Sequence, residues 1–110
     1  MELTHSSYKS CDLVKAVGRI DSATSDQLEK KLKEIQGGGR NNIVMDMGAV
    51  DFLSSRGLWV LVEAQKASKS GKGQIVLAAV PEKIMESLKL VGMSEYFRFF
   101  DDVVGAVGSF

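Results

Sequence analysis

The chain has 110 residues, 45% of them hydrophobic, with 14 Lys and Arg balanced by 14 Asp and Glu. That length predicts one domain over residues 1–110 with a single core, and zero net charge argues against a nucleic-acid groove or a polybasic membrane anchor. The lone Cys11 excludes an internal disulfide, no apolar run reaches ~18 residues, and Met1-Glu2-Leu3-Thr4-His5 lacks the regions of a signal peptide, so a cytoplasmic protein without membrane contact is expected.

Residues 2–8 carry a weak strand pattern. Residues 12–17 form a better one, ended by Gly18, with 18–22 as a turn. Thr24 with Gln27 three residues later predicts a capped helix start. Leu28, Leu32 and Ile35 give that helix its apolar face. Asp26 with Lys30, and Glu29 with Lys33, are acid-before-base pairs one turn apart. Gly37-Gly38-Gly39 then stops the helix. These glycines follow a helix and are not trailed by Lys-Ser/Thr, so they are not a phosphate loop.

Residues 42–47 predict a buried central strand, followed by a short loop, the pair Ser54-Ser55, and a helix over 57–70. Leu58, Leu61, Val62 and Gln65 share one face of that helix, with Ala64 and Ala67 nearby. Ser70-Gly71-Lys72-Gly73 ends it, and residues 74–80 form another buried strand. Pro81 suits the first position of the next helix, with Glu82 in its first turn. Ile84, Leu88 and Val91 form its inner face, and Gly92 closes it. Tyr96, Phe97, Phe99 and Phe100 are expected in the core, in a segment with room for a last short strand. Asp101-Asp102 starts a C-terminal helix through Val103, Val104 and Val107, which Gly105 and Gly108 weaken. The alternation predicts an α/β domain. Its sheet is mixed, with about four or five strands and about four helices, and the two opening strands form an antiparallel pair.

Little catalytic machinery is legible. His5 is the only histidine, and no acid is evidently tied to it, so it is expected exposed or on an edge strand. A Ser-His-Asp triad thus lacks a secure base. The Gly-x-Ser-x-Gly elbow is absent, the local run being Leu53-Ser54-Ser55-Arg56-Gly57. No Cys/His set has metal-ligand spacing, and no dinucleotide fingerprint occurs. No metal, cofactor or catalytic residue is therefore expected. Asp21, Asp46 and Asp51 are candidates for one rim of the sheet, where open α/β sheets take ligands. Turn formation and capping are the competing roles. The serine pair falls where a helix begins, and there the first backbone N–H groups point outward. A hydroxyl at that place can cap the helix, and a phosphate on it meets a favourable field.

Several segments carry a family resemblance. They are Gly18-Arg19-Ile20-Asp21 with Ala23 and Leu28, Ile43-Val44-Met45-Asp46-Met47, and Val50-Asp51-Phe52-Leu53-Ser54-Ser55-Arg56-Gly57-Leu58. Gly71 and Leu90-Val91-Gly92-Met93 add to them. On these residues the chain resembles the anti-sigma factor antagonists of bacteria, which are free-standing STAS domains. The resemblance implies partner switching. The unphosphorylated antagonist binds an anti-sigma factor, often a GHKL-type serine kinase. Phosphorylation of one serine breaks the complex, and a PPM-type phosphatase reverses it.

In that family the modified residue stands two before the glycine of Ser-x-Gly, which is Ser55 here. Many members carry Asp just before it. This chain has Ser54 there, which makes Ser54 the alternative acceptor. Asp21, Ser54, Arg56, Gly57, Leu58 and Trp59 are the expected partner-binding residues. Leu58 fits the inner helix face. Trp59, about 100° round the helix, is either a part-exposed anchor or packed under the loops. Two other readings stand beside this one. The first is a phosphorylation-independent STAS module that takes a small anionic ligand or serves a transport complex. The second is a small serine hydrolase with Ser55 as nucleophile.

Overall fold

A computed structural model describes residues 1–110. Five strands form one mixed sheet whose spatial order follows the chain: β1 (Glu2–Ser7), β2 (Asp12–Ile20), β3 (Asn42–Leu53), β4 (Gln74–Ala78) and β5 (Arg98–Phe100). β1 runs antiparallel to β2, and every other neighbouring pair is parallel. The helices are α1 (Ser25–Gly37), α2 (Ser55–Ser70), α3 (Glu82–Leu90) and α4 (Val103–Gly108), with one 3-10 turn at Ser94–Tyr96. No helix is long and apolar enough to cross a membrane.

Right-handed crossovers that always advance in one direction put their helices on one face of the sheet. Accordingly α1, α2 and α3 bury Leu28, Leu32, Leu61, Ile84 and Leu88 against Ile43, Met45, Ile75 and Leu77 in a single large cluster. The opposite face is covered by α4, whose Ala106 packs on Val44, Val76 and Ala78. Both faces are thus closed over Ile43–Met45 of β3 and Ile75–Ala78 of β4, which is why those stretches are wholly apolar. Gln65 is one of four buried polar residues. Its amide accepts from the Ile75 N–H at 2.6 Å and donates to the carbonyls of Ile75 and Tyr96, stapling α2 to β4.

Several sequence expectations need correction. Gly18 does not end β2; it pairs with Val50 at φ +99° and the strand continues to Ile20. β3 likewise runs past Met47 to Leu53, and there is no loop before the serines. Its register against β2 slips twice, each time with one extra residue on β3. Such bulges break the alternation by which a strand is recognised. β4 stops at Ala78 because Ala79 turns away with φ +56°. Together β2 and β3 therefore project beyond β4 as a two-stranded arm.

Thr24 precedes α1 but makes no capping bond; its hydroxyl donates to the Arg19 carbonyl at 2.9 Å. Lys33 pairs with Glu29 as expected, whereas Asp26 pairs with Arg56 rather than Lys30. Val91 is exposed at the end of α3 instead of facing the core, and among the aromatics Phe97 alone is fully buried. His5 is exposed on the edge strand β1 as expected, but an acid is tied to it: its Nε2 lies 2.6 Å from Oδ2 of Asp12, a buried carboxylate that also accepts from Arg40 Nε at 2.7 Å and from Ser7 Oγ at 3.1 Å.

Candidate functional site

The arm ends in the serine turn. Ser54 sits at the end of β3 with extended backbone (φ −76°, ψ 167°), and three bonds fix it. Its N–H donates to the Ile20 carbonyl at 2.8 Å, its carbonyl accepts from the Leu58 N–H at 2.9 Å, and its Oγ accepts from the Gly57 N–H at 3.0 Å. Ser54 is therefore the helix N-cap. The sequence left open which serine caps; the structure assigns the cap to Ser54 and leaves Ser55 as the first helical residue.

Gly57 is buried. A Cβ there would stand 2.7 Å from Ile20 Cγ2, 3.0 Å from Leu53 Cδ1 and 3.1 Å from the Ile20 carbonyl oxygen. Only glycine lets the first turn of α2 close on the ends of β2 and β3 this tightly. This corrects the expectation of Gly57 as a contact residue, since it sets a close approach and offers no surface. Leu58 is half-buried and packs on the main cluster, as its helix face predicted.

Ser55 is exposed, and its side chain makes no hydrogen bond within the protein. The first turn of α2 holds no acidic residue to offset its dipole. The amides of Ser55 and Arg56 precede the first intrahelical bond and face outward. Trp59 stands one turn beyond Ser55 on the same stripe of the helix, and it is 52% exposed. Of the two placements left open for Trp59, the part-exposed one holds.

The charged residues around the turn are paired across elements. Arg56 Nη2 donates to Asp26 of α1 and lies 3.9 Å from Glu29 Oε1. The hydrogen bond that it donates to Asp26 raises the Arg56 pKa above its ordinary value. Arg19 lies with its guanidinium carbon 4.1 Å from the centroid of the Phe52 ring and its Nε 3.9 Å from Asp21. Asp21 itself builds the turn into α1. Its Oδ1 accepts from the N–H groups of Ala23 and Thr24 at 3.0–3.1 Å, and it shares the Thr24 hydroxyl proton, at 3.0 Å, with the Arg19 carbonyl. Those bonds, the Thr24 hydroxyl first, hold its carboxyl below the usual range. Turn formation is thus the observed role of Asp21, although it borders the serine turn through Ile20.

Asp21, Asp46 and Asp51 do not share one rim. Asp46 lies back at the level of Ala78, where β4 ends, and accepts from the Gly48 N–H at 3.0 Å. Asp51 is the extra residue of the second bulge and is exposed. His5 is remote from the serines as well. It pairs with Val14, six positions before Ile20 on β2, which at about 3.3 Å per residue is about 20 Å of strand.

Sequence reasoning missed two features of this end. The Arg56 contact with Asp26 and Glu29 carries no local signal, because about thirty positions separate the partners. The stack of Arg19 on Phe52 depends on a strand extension that the bulges concealed. The cap, by contrast, had a local signal in the serine pair that stands where the helix begins, although not in which of the two caps.

Comparison with known proteins follows the same geometry. The STAS domain model matches residues 6–106. The anti-sigma-F factor antagonist RsfB of Mycobacterium tuberculosis is 30% identical over 92 residues, covering 82% of this chain and 73% of RsfB. An anti-sigma factor antagonist from Mycobacterium paratuberculosis superposes with a TM-score of 0.88 at 21% identity, covering 98% of this chain and 92% of that one. The Bacillus cell fate determinant SpoIIAA has been solved in phosphorylated and unphosphorylated forms. These give TM-scores of 0.79 and 0.84 at 12% and 13% identity, over 98% of this chain and 98% and 95% of SpoIIAA.

Proposed function

The chain belongs to the STAS domain family, and from that premise we propose that it is an anti-sigma factor antagonist working by partner switching in the cytoplasm. In its unphosphorylated form it docks on an anti-sigma factor that is also a GHKL-type serine kinase. Ser54, Ser55, Arg56 and Trp59 face that partner, with Asp21 at the border. The kinase transfers the γ-phosphoryl group of ATP to Ser55 Oγ, and the complex dissociates. A PPM-type phosphatase resets the switch.

One observation carries this reading: Ser55 is exposed and unbonded at the first position of a helix that Ser54 and Gly57 hold rigidly on the sheet. Ser54 is the weaker acceptor, since it is half-buried at the end of β3 and its Oγ is engaged with the Gly57 N–H, which leaves it less accessible to a kinase. A phosphate adds about −1.5 to −2 charges. At a helix start with no acid of its own, that charge is locally favourable by about 0.3–1 kcal/mol, so the domain stays folded. SpoIIAA, solved with and without its phosphate, has this fold in both forms. Pressed into a partner, the same dianion loses water at a cost of several kcal/mol unless it is paired. Each ~1.4 kcal/mol is tenfold in affinity, so a loss of about 100-fold needs no refolding.

The missing base speaks against a hydrolase, for the only imidazole is tied to Asp12 at the other end of the sheet. Incubation with the candidate kinase and ATP, followed by mass spectrometry, tests the assignment. Phosphate is expected on Ser55 and is lost in Ser55→Ala. Normal stoichiometry in that variant would refute the choice of serine. Trp59 is the only tryptophan, so its emission reports partner docking directly.

A further inference from the structure

Asp26 and Glu29 stand about one turn apart on α1, and Arg56 reaches across to both, bonded to Asp26 and 3.9 Å from Glu29. Adjacent helical residues point about 100° apart, so neighbours in sequence do not face each other. The bond therefore ties the guanidinium to α1. The other arginine at this end is also engaged, Arg19 being stacked on Phe52 beside Asp21. Ser55 bonds neither arginine.

Resting on Ser55 as the phosphoacceptor, we propose that Asp26 and Glu29 are positioning residues: they hold Arg56 on α1, so that a phosphate on Ser55 stays unpaired by its own chain. A guanidinium is the side chain best shaped to take a phosphate with two parallel hydrogen bonds. A released Arg56 would offset part of the new charge and blunt the loss of partner affinity. Held on α1, it leaves the whole dianion facing the partner. The two acids thus set how deep the switch is, although neither takes part in phosphoryl transfer.

The test uses the full chain with phosphoserine installed at position 55 by genetic-code expansion. The second ionisation of the phosphate, ordinarily near about pH 6, is followed by phosphorus NMR. Arg56→Ala alone is expected to raise the midpoint only slightly, by the loss of one unpaired neighbouring charge. Asp26→Asn with Glu29→Gln is expected to lower it by about half a unit or more, because the freed Arg56 favours the dianion. Adding Arg56→Ala to that pair removes most of the drop, which separates the arginine from the mere loss of two negative neighbours. In partner binding, the phosphorylated double variant regains about tenfold of the lost affinity, the equivalent of ~1.4 kcal/mol. A midpoint that rises by about a unit or more with Arg56→Ala alone overturns the proposal, since a shift of that size means that Arg56 already pairs the phosphate. A drop that survives in the triple variant overturns it equally. Installing the phosphate synthetically keeps this test apart from the phosphoacceptor assignment, which fails on its own if the native kinase leaves Ser55 unmodified.

Discussion

At the N-terminal end of the parallel strands, Asp12 is buried and takes hydrogen bonds from His5, Ser7 and Arg40, while Arg40 also donates to the carbonyls of Tyr8 and Cys11. At the C-terminal end, Ser55 is exposed and bonds nothing, and the charges around it pair across open surface. Both ends are polar and both join distant segments. A buried carboxylate whose donors all come from its own chain has nothing left to offer a partner, and its contribution is to hold the β1–β2 hairpin against the turn after α1. An exposed hydroxyl on a rigid helix start adds little to stability and is free to be modified. The contrast assigns structure to one end and leaves the other open for the exchange proposed above.

The largest effect that tests this contrast is expected from Asp12→Asn. It removes the charged acceptor from Arg40 at a buried position and should cost about 2–3 kcal/mol, a fall in melting temperature of about 10 °C. Kinase binding measured well below the transition should not change. The pH dependence follows from the same group. Burial pushes the Asp12 carboxyl up, but the bonds from His5, Arg40 and Ser7 outweigh it and hold the folded-state value below the ordinary 3.8. Its stabilisation is therefore complete above that ordinary value and is lost as pH falls through the lower folded value. Acid titration of the wild type should show this loss, and Asp12→Asn should show a flatter slope there.

Gly57→Ala comes next. The new methyl meets Ile20 side chain and backbone, so the start of α2 must shift, at about 1–3 kcal/mol. Partner binding should fall with it, because the serine turn moves. Unchanged binding by this variant would show that docking does not depend on the cap geometry. Ser54→Ala removes the cap and should cost about 1 kcal/mol while leaving Ser55 modifiable. The smallest change is expected from Ser55→Ala, within about 0.5 kcal/mol of wild type, with phosphorylation abolished. Calorimetry alongside mass spectrometry sorts these last two. If Ser55→Ala proved the more destabilising, the roles of the two serines would be exchanged.

Composition, periodicity and punctuation were enough to read an α/β fold with a mixed sheet, the apolar faces of Leu28-Leu32-Ile35 and Ile84-Leu88, the glycine stop after α1 and the serine-bearing helix start. Each of these depends on residues close in the chain, where side-chain spacing and backbone geometry act directly. Tertiary structure alone decided the rest. The bulges that carry β2 and β3 to Ile20 and Leu53 exist because two strands pair in a shifted register, and no single strand records its partner's register. Asp12 gathers His5 and Arg40, and Arg56 reaches Asp26, across seven to thirty positions. Pairings at that separation are fixed by where the crossovers set the helices on the sheet, which local pattern does not encode.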